Sequence, residues 1–215
     1  MSDIVVYGVP GSPYVRSALL GLEEKGLPYR LHALAPGEAK SAAHLSRQPF
    51  GRIPAFEHED FRLYETQAIL RYVDAIGTGP ALQPADARQA ARMNQIVGIV
   101  DWYTFPYVTV GVCAERLFSQ LFWGRPADEA NVSKAMPLAR TCIAELERLK
   151  GPNTFMAGGA VSIADLMLAP HLEYFRATAE GAALLRSTSL DGWLTRMQAR
   201  PSMQATQTER LRQSA

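Results

Sequence analysis

Every strand-like pattern in the chain falls before the breaker-rich stretch Thr78-Gly79-Pro80-Ala81-Leu82-Gln83-Pro84. That asymmetry excludes a fold built from one continuous alternation of strands and helices. Ile4-Val5-Val6-Tyr7 reads as a short apolar strand. Ser12-Pro13 then opens a helical pattern with Val15, Leu19 and Leu22 on one face, and Gly26 suits its C-terminal end. Tyr29 to Leu34 predicts a second strand, reached through a helix and therefore parallel to the first. Ile53 to Glu57 and Phe61 to Tyr64 flank His58-Glu59-Asp60 as a hairpin. Glu65-Thr66 leads into an amphipathic helix carrying Ile69, Leu70, Tyr72 and Val73. The order β-α-β, then β-β-α, predicts a four-stranded mixed sheet with helices packed on it.

Beyond the breakers only helical periodicity remains, from Ala85 to about Arg125, Asp128 to Lys150, Ser162 to Ala179 and near Leu190 to Arg200. Pro106 and Pro137 fall inside two of these runs and are expected to kink or interrupt them. The predicted organisation is an α/β domain over residues 1–77, a linker over 78–85 and an all-helical domain over 86–215.

Charge narrows the functional classes. The 22 Lys and Arg nearly balance 21 Asp and Glu, giving net charge +1, so there is no electrostatic case for a nucleic-acid or membrane-surface protein. No run approaches the ~18 uninterrupted apolar residues of a membrane span. The start MSDIVVYG lacks the basic and apolar regions of a signal peptide. Cys113 and Cys142 form no CxxC pair, and the four histidines show no metal-ligand spacing. A cytoplasmic protein without a metal, nucleic-acid or membrane partner is expected.

Three short segments carry chemistry. Ser12 before Pro13 is the pairing of an N-cap with proline at N1, a structural role. The same serine stands where unpaired helix N–H groups and partial positive charge would favour an anion such as a thiolate. Glu65-Thr66 is equally open. It reads as ordinary helix-start chemistry, or as a pocket in which Glu65 meets an ammonium and Thr66 a carboxylate. Ile53-Pro54 places a residue without an N–H where a strand begins, so the ladder there is broken.

The sequence YGxxxS, LEEKGLPY, GEAK, PFGRIPAF, YETQAILRYV, SIADLMLAPHLEYF and WLTRMQARPSM, taken together, resembles the cytosolic glutathione S-transferases over nearly the whole chain. The similarity is greatest to the serine-type, phi-like group and its bacterial relatives. It implies a thioredoxin-like N-terminal domain, an all-α C-terminal domain, a homodimer, and a detoxifying transferase with glutathione as co-substrate. It implies that Ser12 donates to the glutathione sulfur, that the Ile53-Pro54 bond is cis, and that the Ile53 backbone pairs with the cysteinyl backbone. Glu65 and Thr66 would receive the γ-glutamyl end, and Lys40 the glycyl carboxylate. Ala39 stands where the family often has histidine, and Arg52, where it usually has glutamine, either contacts the glutathione or is a surface charge.

Tyr7 and Arg16 are alternative or accessory groups beside Ser12, Tyr7 otherwise serving as packing and Arg16 as a structural ion-pair partner. A second-substrate pocket is expected at Tyr103, Tyr107 and Phe118, although aromatics at helical spacing also build cores. Phe50 is either an internal core residue or an aromatic key inserted into the partner subunit. The resemblance also accommodates a glutathione-dependent isomerase or dehalogenase, or a non-catalytic binding protein of the same fold.

Overall fold

The structure is a computed structural model and describes residues 3–214. It divides into two compact units. One contains the chain up to Gln83 together with the chain from Gln198 onward; the other is Pro84–Met197.

The first unit contains strands β1 (Ile4–Gly8), β2 (Arg30–Ala33), β3 (Ala55–His58) and β4 (Phe61–Tyr64) in the spatial order β2-β1-β3-β4. β1 runs parallel to β2 and antiparallel to β3, and β3 is antiparallel to β4. The crossover between β1 and β2 is helix α1 (Pro13–Glu24), and α3 (Thr66–Ile76) follows the hairpin. The pleat sends Ile4 and Val6 to one face of β1, where Phe56 lies opposite Val6. Val15, Leu19 and Leu22 of α1 and Ile69 and Val73 of α3 close over them as one buried core. The hairpin β4 begins and ends as predicted, whereas β3 starts at Ala55, after the proline.

Between β2 and β3 lie a 3₁₀ turn at Glu38–Lys40 and a single-turn helix, α2 (Ala42–Leu45). Neither has the length to produce a periodic signal.

The predicted linker is held to the first unit by a buried charge. Lys25, near the end of α1, donates to Asp74 Oδ1 at 3.0 Å and to the carbonyl oxygens of Gly79 and Pro80 at 2.7 and 3.0 Å. Asp74 also accepts from the Leu82 N–H at 2.9 Å and from Gln83 at 3.1 Å. The chain from Gln198 returns to the same unit, against the expectation that 86–215 forms one helical domain. Glu24 is the reason: it accepts from Arg200 Nε at 2.8 Å and from the Ser202 hydroxyl. These ties bring α10 (Pro201–Ala205) to α1, and Leu211 of α11 (Thr208–Ser214) joins the sheet core.

The second unit is helical: α4 (Ala87–Ile99), a π-type stretch over Val100–Phe118, α5 (Ser119–Trp123), α6 (Glu129–Lys150), α7 (Ile163–Arg176), α8 (Ala179–Leu185) and most of α9 (Ser189–Gln198). Asp86 and Asp128 cap α4 and α6 by accepting from backbone N–H groups. Ser162 and Asp165 form a capping box at α7. Asp165 is fully buried and accepts from the Met156 N–H and Trp193 Nε1, both at 2.8 Å. Neither proline breaks its helix: α6 continues through Pro137, and Pro106 sits where i→i+5 turns replace the regular ladder. The run Ala87–Trp123 is long and apolar enough to cross a membrane by composition. Here its middle packs against α6 and α7, as the core helix of a helical unit does.

Asp74 tests the linker anchor. Burial acts to raise its pKa, but the Leu82, Gln83 and Lys25 hydrogen bonds outweigh it and lower the value from 3.8. A lowered native pKa stabilises the fold above the ordinary carboxylate value, and that stability is lost as pH falls through the native one. Asp74→Asn is expected to cost about 3 kcal/mol at pH 7, because it leaves the Lys25 charge buried without its counter-ion. Urea unfolding at pH 7 and stepwise towards pH 3 should show the difference from wild type shrinking at the acid end.

Candidate active site

The candidate residues Ser12, Glu65 and Thr66 stand where helices α1 and α3 begin. The turn out of β1 contains Gly11 at φ +92°, a left-handed conformation that favours glycine. It lets the Ser12 N–H donate to the Val9 carbonyl at 3.0 Å and starts α1 at Pro13. Ser12 occupies the N-cap position, with φ −60° and ψ 128°, yet its hydroxyl makes no capping hydrogen bond. The side chain is half-buried. Arg16, one turn on, is buried, and its N–H donates to the Ser12 carbonyl at 2.9 Å.

Glu65 precedes α3 with φ +70° and ψ 108°. A non-glycine residue held in this region carries strain of order 1–3 kcal/mol, and such residues cluster at ligand sites. The Glu65 carbonyl accepts from the Ala68 and Ile69 N–H groups, while its side chain remains exposed and caps nothing. Thr66 is 5% exposed, and its hydroxyl lies 3.5 Å from the Tyr14 carbonyl in the first turn of α1. That contact joins the two helix starts. It is long for an O–H···O bond and so readily exchanged for a charged acceptor.

The remaining candidates lie in the segment before β3. The Ile53-Pro54 peptide is cis, as the family resemblance implies. β1–β3 pairing ends at Tyr7 opposite Ala55, so Ile53 lies outside the ladder. Gly51 has φ +61°, and a Cβ there would stand 2.7 Å from Lys40 Nζ. Lys40 therefore lies across Gly51, with Nζ 3.5 Å from the Phe50 carbonyl oxygen. The Arg52 side chain is exposed.

Tyr7 is committed elsewhere. Its hydroxyl donates to Glu57 Oε2 at 2.6 Å, and the Arg47 guanidinium stacks 4.3 Å above its ring. Burial and the Glu57 carboxylate raise its pKa, so it is a weaker acid than a free tyrosine. Glu57 also accepts from Arg47 Nε at 3.2 Å and Arg62 Nε at 2.9 Å. Sequence reasoning missed Tyr14, His44, Gln48 and Glu57. Only the spacing of His44 and Gln48, one helical turn apart ahead of Pro49-Phe50-Gly51, offered a signal.

In the second unit Tyr103 and Tyr107 line a cavity of about 330 Å³, with Leu138, Thr141 and Cys142 opposite. Phe118 does not belong to it. Its ring packs edge-on to Tyr174 at 5.2 Å and against Phe122 at 5.5 Å. A larger cavity of about 820 Å³ in the first unit, beside β2 and Leu211, contains none of the predicted site residues. Among the described residues no cluster of His, Cys, Asp and Glu could hold a metal ion.

Two family models match the chain: the glutathione S-transferase N-terminal domain over residues 6–81 and the C-terminal domain over residues 129–202. The chain belongs to the glutathione S-transferase family. It is 29% identical to a probable glutathione S-transferase, GSTF1, of Oryza sativa subsp. japonica over 208 residues, 94% of each chain. It is 28% identical to glutathione S-transferase 4 of Zea mays, covering 93% of this chain and 89% of that one. Poplar glutathione transferase F1 superposes with a TM-score of 0.85 at 29% identity, covering 98% and 99% of the two chains. The transferase is phi-like, as these F-type relatives indicate.

The transferase's idle Ser12 hydroxyl makes a quantitative claim. A capping serine replaced by alanine costs about 0.5–2 kcal/mol. With no capping bond to lose, Ser12→Ala is expected to cost less than about 0.5 kcal/mol, as read from chemical denaturation at neutral pH.

Proposed function

We propose that the transferase binds glutathione across the starts of α1 and α3, ionises its thiol against Ser12, and delivers the thiolate to a small apolar electrophile. The observation that carries this reading is Ser12 itself: a helix N-cap serine whose hydroxyl performs no capping. Its O–H is available to a sulfur, and the helix terminus adds partial positive charge. The Ile53 backbone, outside the ladder, pairs with the cysteinyl backbone. Glu65 takes the γ-glutamyl ammonium, and Thr66 its carboxylate, exchanging the long contact to Tyr14. Lys40, lying over Gly51, meets the glycyl carboxylate, with exposed Arg52 beside it. Pro54 fixes the start of β3.

A hydrogen bond to a charged acceptor is worth about 1.5–3 kcal/mol. At 1.36 kcal/mol per unit, Ser12 would lower the thiol pKa by about one to two units. The test is the thiolate absorbance of bound glutathione followed against pH. Ser12→Ala should move the ionisation up by about one to two units, and Tyr7→Phe should scarcely move it. A larger shift in Tyr7→Phe would make Tyr7 the activating group despite its bond to Glu57.

The electrophile is assigned to the helical unit, at the cavity lined by Tyr103 and Tyr107. A homodimer is proposed on Phe50, which is 64% exposed. That exposure supports a key for a partner subunit over an internal core residue. Reduced, buried Cys113 and Cys142 fit a cytoplasmic location. Tyr103→Ala should raise KM for an aryl halide with sedimentation unchanged, whereas Phe50→Ala should weaken the dimer. If Tyr103→Ala instead dissociates the protein and leaves KM alone, the cavity belongs to the subunit interface.

A further inference from the structure

Arg52 carries the peptide that leads into Ile53, and side chains hold both of its backbone groups. Its N–H donates to Gln48 Oε1 at 3.0 Å, and its carbonyl oxygen lies 2.7 Å from His44 Nε2. A carbonyl only accepts, so His44 carries its proton on Nε2. His44 and Gln48 are 1% and 2% exposed. The other ring nitrogen of His44 is also buried and has no hydrogen-bond partner among the described residues. The ring is thus committed to Arg52 through Nε2.

The turn that carries this pair is itself tied down. Ser41 Oγ accepts from the His44 N–H at 3.2 Å, capping α2. Arg47 donates to the Ala43 carbonyl at 2.9 Å and to Glu57 on β3 at 3.2 Å. The Gly51 N–H donates to the Gln48 carbonyl at 3.0 Å. One turn of helix has little stability of its own, so its order comes from these ties. Lys40, Ser46, Phe50 and Arg52 around it are exposed. His44 and Gln48 are the two buried side chains that connect the turn to the segment before the cis peptide.

We propose that His44 and Gln48 are positioning residues for glutathione. Gln48 holds the Gly51–Arg52 peptide and His44 the Arg52–Ile53 peptide, and together they keep the Ile53 backbone in the orientation that the cysteinyl backbone meets. They act through Arg52 and not by touching the ligand. This rests on the glutathione-site reading above, and it predicts a split between binding and chemistry. Loss of either grip frees one of the two peptides that flank Arg52 in the free protein, and glutathione must then order the segment on binding.

The test uses the full chain, glutathione and a generic aryl halide. His44→Phe keeps the ring volume and removes the donor; Gln48→Met removes the acceptor; His44→Gln restores an N–H donor. Glu65→Ala reports independently on the glutathione pocket. In His44→Phe and Gln48→Met the KM for glutathione should rise roughly five- to tenfold, the loss of one net hydrogen bond. The turnover at saturating glutathione and the KM for the aryl halide should stay within about twofold, and His44→Gln should recover most of the loss. If Glu65→Ala weakens glutathione binding and neither His44→Phe nor Gln48→Met does, the positioning role is wrong. A lower melting temperature with an unchanged glutathione KM also overturns it, leaving the pair as structural only. If Glu65→Ala too leaves glutathione binding unchanged, the pocket reading fails first and this inference with it. Should His44→Phe not fold, Gln48→Met decides alone.

Discussion

Pro54 has no N–H to give to a sheet, and the first unit is organised around that deficit. The ladder between β1 and β3 begins at Ala55, opposite Tyr7. Upstream of it the chain must satisfy its backbone by other means. It does so with side chains, His44 from α2 and Gln48 from just beyond it, on Arg52, and leaves Ile53 beyond the last strand pair. Downstream the short hairpin delivers the chain to Glu65 and the start of α3. The same proline therefore separates a segment available to a ligand from a strand committed to the core.

Buried charge does the remaining organisation, and in each case it fixes a loop against a helix. Lys25 gathers two linker carbonyls and Asp74. Asp165 gathers the start of α7, the Met156 N–H and the Trp193 indole, and burial raises its pKa despite those four donors. Glu115, which Arg125 with the Asp128 N–H and Asn131 holds down to about 2, anchors the turn before α6. A polar group with this many partners leaves few alternative arrangements for the loop it binds.

Much of this was legible in the sequence because it rests on local rules. Apolar periodicity located β1, α1, β4, α3 and α7. The elements that escaped, α2, α8, α10 and α11, run from four to seven residues, too short for a helical period to register. α8 begins at its own Thr178 cap, inside what reads as the tail of α7. The site divides the same way. Ser12, Ile53, Glu65 and Thr66 stand at breaks in secondary structure, where sequence signals are strong. Tyr14 contributes through a backbone carbonyl, and Glu57 through pairs formed across the sheet, so no linear pattern announces them. Phe118 lies outside the cavity that Tyr103 and Tyr107 line, because an aromatic run on a helix says nothing about which face each ring takes.

Glu24 gives the first unit an unusual order of assembly. Strands β1 to β4 and helices α1 to α3 are all complete by Ile76. Yet Arg200, Ser202 and Leu211, which complete the contacts of α1 and the sheet core, are translated only after the intervening helical unit. During synthesis on a ribosome the unit that starts first must wait, with Glu24 solvated and part of its core open, while the intervening helical unit emerges. Completion of the early fold is thus coupled in time to the emergence of the intervening helical unit.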